Sequence, residues 1–157
     1  MKKTAIILYP LFSEYELSVA LSILMQGGKP IVTVGLNNQP IKGESGLTCV
    51  ADTMINEINI EEIDSVLLPG CMDIEPLLGE EDLIKFLKQV VSEETIVASI
   101  SSSPFFLAKA GMLTGKKYTV GLSVEAIEML GIFEKENFCN DVVVQDGNLI
   151  TARGSGF

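Results

Sequence analysis

Val97-Ala98-Ser99-Ile100-Ser101-Ser102-Ser103-Pro104 is an apolar strand that runs into small polar residues and then into a helix beginning with proline. Proline suits a first helical position because its φ is already helical and its missing N–H would have had no intrahelical partner. Ser103 is placed to cap that helix. Ser101 falls on the turn between strand and helix, where a nucleophile elbow puts its reactive residue. Backbone N–H groups and the helix N-terminus favour negative charge beside it. The same spacing also fits serines that do no more than cap a helix.

The segments on either side repeat one theme. Residues 4–9 form a continuous apolar run, as expected of a strand buried on both faces. Residues 13–25 read as a helix with Leu17, Val19, Ala20, Leu21, Ile23 and Leu24 apolar, ended by Gly27-Gly28. Residues 30–35 are a second strand, 37–40 a turn, and 41–50, with Gly43 and Gly46, a short irregular hairpin or meander. Residues 65–68 form a strand that stops at Pro69-Gly70. Residues 81–91 make an amphipathic helix whose inner side carries Leu83, Ile84, Phe86, Leu87 and Val90. After the strand at 95–100 come helices at 104–110 and 124–130, each closed by glycine. A hairpin of 142–145 and 149–151 turns on Asp146-Gly147. Strands alternating with helices imply an α/β domain with a mostly parallel sheet covered on both faces. Sites in such sheets form at the carboxyl ends of the strands. That rule singles out residues 9–16, 69–71 and 101–104.

Composition narrows the function classes. The 157 residues fit one domain spanning 1–157, and 47% apolar content supplies a sizeable core. The apolar runs are far too short to span a bilayer. The basic start Met-Lys-Lys-Thr lacks a signal-peptide cleavage site after it, so the expected location is cytoplasmic. The net charge is −10 and the 11 basic residues are scattered, which makes nucleic acid and anionic membranes poor partners. Cys49, Cys71 and Cys139 show no CxxC spacing, so neither disulfides nor a zinc site is expected. There is no histidine. Ser-His and Cys-His catalytic pairs are therefore absent, and nothing in the pattern calls for a metal or another cofactor.

Residues 100–119, ISSSPFFLAKAGMLTGKKYT, read as Ile–nucleophile–x–x–Pro–x–x–Leu-Ala-x-Ala-Gly-x-Leu-x-Gly-x-x-x-Thr. This stretch resembles the ThiJ/PfpI family. AIILYPLFSEYEL near the start, VLLPGC in the middle and VVVQDGNLITARG near the end extend the resemblance over almost the whole chain, in the right order. The family includes intracellular protease-like proteins, glyoxalase and deglycase enzymes, and stress proteins. The resemblance implies a flavodoxin-like three-layer sandwich, related to class I glutamine amidotransferases, and assembly as homodimers or higher oligomers. It puts Ser101 at the nucleophilic cysteine, and Glu16 at the acid that hydrogen-bonds it. It puts Gly70 and Cys71 at a Gly-Gly pair that forms an oxyanion site with the N–H of Ser102. It also implies a final helix beyond Phe157, so the chain is expected to be truncated and to lack that helix.

The departures from the family pattern bear on chemistry. A thiol is tuned to a thiolate far more readily than an alkanol is ionised, and an alkanol needs a strong adjacent base. Some members carry a histidine after the cysteine, where this chain has Ser102. A carboxylate such as Glu16, with a reference pKa of about 4.3, is a weak base for a hydroxyl. Ser13-x-x-Glu16 also fits a capping box, which would turn Glu16 onto its own helix. Lys109 is expected to face solvent. Cys71 would bring a thiol near Ser101, or be an inert buried cysteine. Arg153 would bind an anion, make an interface ion pair, or lie on the surface. Tyr9, Tyr118 and Phe105-Phe106 read as packing. The expected function is that of a divergent family member, inactive or weakly active, that binds a small molecule or partner at the Ser101 elbow. The alternatives are a hydrolase or glyoxalase/deglycase-like enzyme using Ser101 with Glu16, and a structural oligomer with no site.

Overall fold

The apolar run at residues 4–9 becomes β1 (Lys3–Leu8), and its neighbours on both sides are parallel to it. The computed structural model describes residues 1–154. Along the chain follow α1 (Glu14–Gln26), β2 (Ile31–Gly35), β3 (Ile41–Lys42), β4 (Thr48–Cys49), β5 (Thr53–Met54) and β6 (Ile63–Leu68). Then come α2 (Glu81–Val90), β7 (Ile96–Ile100), α3 (Pro104–Lys109), α4 (Val124–Leu130), β8 (Val143–Asp146) and β9 (Leu149–Ala152). The seven-stranded sheet has the order β5-β2-β1-β6-β7-β9-β8, and only β8 runs antiparallel to its neighbour. Ala5 sits opposite Val32 and Val66, Val66 opposite Val97, and Val97 opposite Leu149. One layer of the core thus runs straight across the sheet.

The chain moves one way from β1 to β2 and the other way from β6 to β7. Right-handed crossovers then put α1 on one face and α2 and α3 on the other. This is the expected three-layer α/β sandwich with a mostly parallel central sheet. Leu83, Ile84, Phe86, Leu87 and Val90 of α2 are all buried, as their spacing predicts. The two sides of the sandwich are unequal. On α1 only Leu17 is buried, while Val19 and Ile23 are 61% and 63% exposed. The edge strand β5 is a feature that two residues are too short to announce. The irregular hairpin expected at 41–50 is the β3–β4 pair. The Glu14 carboxylate holds it, accepting from the N–H groups of Ser45 and Leu47. Slight burial raises that carboxyl, but these bonds outweigh it and hold the pKa below the usual value.

One local reading is corrected. Ser103 does not cap α3: its backbone is already helical and its side chain makes no cap bond. Its hydroxyl instead donates to the carbonyls of Leu68 and Ile100 and pairs with Ser99, tying β6 and β7 to the elbow. The expectation about the chain's end falls on residues 155–157, outside the described residues.

Candidate functional site

Ser101 leaves β7 with φ of +63°, one of two non-glycine residues with positive φ among those described. That conformation costs a serine free energy, and it persists only where the surroundings fix it. They do so here from both sides. The Ser101 N–H donates to Ala152 O at 2.8 Å, and its carbonyl accepts from Gly121 N–H at 2.7 Å. The strand and helix read from residues 97–104 are thus present, joined by a turn through Ser101.

Two further loops close around the elbow. Residues 9–13 and 69–72 are stitched together by Ser13 N–H to Gly70 O, Met72 N–H to Leu11 O, and a bridge between Phe12 and Cys71. The buried Tyr9 hydroxyl donates to Pro69 O, so Tyr9 anchors this loop as well as packing against Phe106. Between these loops and the elbow lies a cavity of about 490 Å³. Glu16, Cys71, Ser101 and Ser102 all line it.

Glu16 takes the site-facing option. Ser13 Oγ accepts the Glu16 N–H at 3.3 Å, so half of the capping box forms. The Glu16 side chain does not complete it. Its Oε2 accepts the Gly70 N–H at 2.8 Å. Its Oε1 and the Ser101 Oγ converge on Gly154, where an added Cβ would lie 3.0 and 3.1 Å from them. Burial pushes the Glu16 carboxyl above its usual pKa; the Gly70 bond opposes this and Glu44 adds to it.

The other predicted residues are spread around this pair. The Gly70 N–H is taken by Glu16, and the Cys71 N–H faces Ser102 Oγ at 3.3 Å. Two of the three expected oxyanion donors are therefore engaged within the protein. The Cys71 thiol lies 3.6 Å from the hydroxyl of Ser102. Burial raises its pKa first; the Ser102 hydroxyl opposes this, and Asp73, Glu44 and Glu16 push it up further. Such a thiol is a poor nucleophile. Alkylation of Cys71 by iodoacetamide at pH 7 is therefore expected to be about tenfold or more slower than that of free cysteine, read by mass spectrometry of the modified peptide. Arg153 turns away, donating to Asn140 Oδ1 at 2.8 Å, and it does not line the cavity. The Lys109 ammonium donates to Leu78 O, far from any role beside Ser101.

Sequence reasoning missed Glu44, Met72, Ile74, Gly121, Leu122 and Gly154 as cavity residues. Only Gly154 carried a signal, as the glycine ending the C-terminal strand motif. The others come from loops whose approach to the elbow is set by the sheet rather than by local spacing.

Comparison with known proteins gives the family and the fold. The model of the DJ-1/PfpI family matches residues 2–157. The chain is 30% identical to the protein dj-1beta of Drosophila melanogaster, over 99% of this chain and 82% of that one. It is also 30% identical to a deglycase of Pyrococcus abyssi, over 92% and 86%. A ThiJ/PfpI family protein of Bacillus anthracis superposes with a TM-score of 0.86 at 25% identity, covering 99% of this chain and 77% of that one. A DJ-1 superfamily protein of Agrobacterium tumefaciens superposes with a TM-score of 0.87 at 22% identity, covering 99% and 83%, and shares the flavodoxin-like fold. With the family pattern matched from residue 2 onward and the fold reproduced, the chain belongs to the DJ-1/PfpI family.

Proposed function

We propose that this chain is a divergent DJ-1/PfpI protein that binds a small molecule over Ser101 and does not use Ser101 as a nucleophile. The observation that carries this reading is the lack of a base for the Ser101 hydroxyl. The chain has no histidine. Lys109 is engaged at Leu78. The Glu16 carboxyl is committed to the Gly70 N–H, and even with a raised pKa it is a far weaker base than an alkoxide. On the family resemblance, Ser101 stands where the nucleophilic cysteine belongs. What remains is a cavity within the size range of small-molecule sites, with polar groups at its floor.

A second reading is favoured by one observation. A carboxyl with a raised pKa beside a hydroxyl suits proton transfer. Together with the relatives named deglycases, this supports a hydrolase or glyoxalase/deglycase-like enzyme using Ser101 and Glu16. A serine-directed fluorophosphonate separates the two. The expected result is no label on Ser101 and no loss of dicarbonyl or ester turnover in Ser101→Ala relative to the wild type. A label on Ser101, together with turnover abolished in Ser101→Ala, establishes the enzyme reading.

The protein is further proposed to work in the cytoplasm as a homodimer. No helix of the described residues is long and apolar enough to cross a membrane. The apolar stripe of Val19 and Ile23 on α1, exposed in the single chain, supports self-association.

A further inference from the structure

The cavity over Ser101 has a one-sided charge. Glu16 and Glu44 line it, and none of the chain's 11 lysines and arginines does. The Glu44 side chain makes no ion pair or hydrogen bond among the described residues; its backbone N–H donates to Phe12 O. Glu16 Oε1 and Ser101 Oγ likewise have no hydrogen-bond partner among the described residues, while Glu16 Oε2 is used by Gly70. The open side-chain groups are thus acceptors or hydroxyls; among the described residues the Ser102 N–H is the one expected oxyanion donor left open, and no charged donor stands beside it to meet an anion. The potential is felt by neighbouring groups: Asp73, Glu44 and Glu16 all push the Cys71 thiol up, and Glu44 pushes Glu16 up. No group of three or more His, Cys, Asp or Glu among the described residues is arranged to hold a metal ion. Between the polar groups, Met72, Ile74 and Leu122 add apolar wall.

Resting on the reading that this cavity is a ligand site, we propose that its ligand is an organic cation. The cation is a primary ammonium group on a short apolar body, and small carboxylates and phosphates are rejected. The ammonium supplies the donors that Glu44, Glu16 Oε1 and Ser101 Oγ lack, and its stem lies along Met72, Ile74 and Leu122. Two half-buried carboxylates favour a cation at their centre more than solvent does, because the effective dielectric there is well below that of water. An anion of the same size meets repulsion from both carboxylates, with no charged donor to offset it.

Three isosteric probes test this: n-butylammonium, 1-butanol and butyrate, titrated into the ¹⁵N-labelled wild-type chain. The readout is the shift of the Gly70, Ser102 and Gly154 amides. Butylammonium is expected to shift them with a Kd roughly tenfold below that of butanol, a difference of about 1.4 kcal/mol. Butyrate is expected to leave them unmoved. The preference is expected to shrink as salt rises. Glu44→Gln is expected to weaken butylammonium roughly threefold or more, with butanol affinity and melting temperature unchanged. Butanol or butyrate binding at these amides as well as butylammonium overturns the charge inference and leaves the cavity as a ligand site. If Glu44→Gln binds butylammonium as tightly as the wild type, the inference is equally overturned. Silence of these amides toward all three probes, up to their solubility, overturns both this inference and the ligand-site reading beneath it.

Discussion

Gly121→Ala is expected to lower the melting temperature by roughly 6–12 °C, the equivalent of about 3 kcal/mol in a domain of this size. A Cβ at Gly121 would lie 2.2 Å from Arg153 O and 3.0 Å from the Ser101 Cα. Both are backbone atoms, so no side chain can swing away to make room. The Gly121 N–H is also the donor to Ser101 O, and the Ser101 N–H is bonded to Ala152 O. The elbow is therefore clamped between residue 121 and the end of β9, and separating the clamp releases a positive φ that serine does not favour. Gly79→Ala is the matched control. It has no positive φ and no atom within 4 Å of its added Cβ, so it is expected to leave stability unchanged or slightly raised. Thermal unfolding followed by circular dichroism reads both. A melting temperature for Gly121→Ala within a degree or two of the wild type would show that the elbow is not held in this way.

The clamp marks where sequence reading stops. The strand into Ser101 and the proline-led helix after it are written in eight consecutive residues, because an apolar run and a fixed φ are local properties. The sheet was legible for the same reason: β1, β6 and β7 each hold a short apolar run that needs no partner to be recognised. Glu16 was ambiguous because a capping box and a site acid share one spacing. The difference lies in the Gly70 N–H, 54 residues away, which draws the carboxylate off its own helix. Ser103 was misread on the same principle. The Leu68 carbonyl from β6 outbid the helix end for its hydroxyl. Glu44 carried no signal at all, since its hairpin is brought to the cavity by long-range bonds: the Glu14 carboxylate at the β3–β4 turn, Leu11 N–H to Lys42 O and Glu44 N–H to Phe12 O. The elbow is thus encoded locally, and the charge of the cavity around it is encoded by long-range contacts.

Ser101→Cys is expected to convert a binding site into a reactive one, with turnover of a dicarbonyl such as methylglyoxal at least roughly a hundredfold above the wild type. A cysteine of ordinary pKa is a few per cent thiolate at neutral pH, whereas a serine is essentially never an alkoxide. The new thiol would face the cavity beside Glu16, whose burial raises its pKa above the usual value. Attack forms the S–C bond and moves the carbonyl π electrons to oxygen, which takes a proton to give a hemithioacetal; transfer of the C1 proton to C2 gives a thioester, and its hydrolysis by water releases lactate and the free thiol, with Glu16 placed to relay protons. Glu44 works against the change, because a second negative charge raises a thiol's pKa; Ser101→Cys/Glu44→Gln is therefore expected to exceed Ser101→Cys alone. Ser101→Cys/Glu16→Gln is expected to lose most of the gain, by about a hundredfold, since the amide can neither take up nor return a proton. Consumption of methylglyoxal, followed by absorbance, measures all four proteins, with melting temperatures recorded beside them. A folded Ser101→Cys that stays at the wild-type rate would mean that position 101 is not a latent nucleophile position. A wild type already as fast as Ser101→Cys would mean that the serine works as it stands, and the non-catalytic reading would give way to the enzyme.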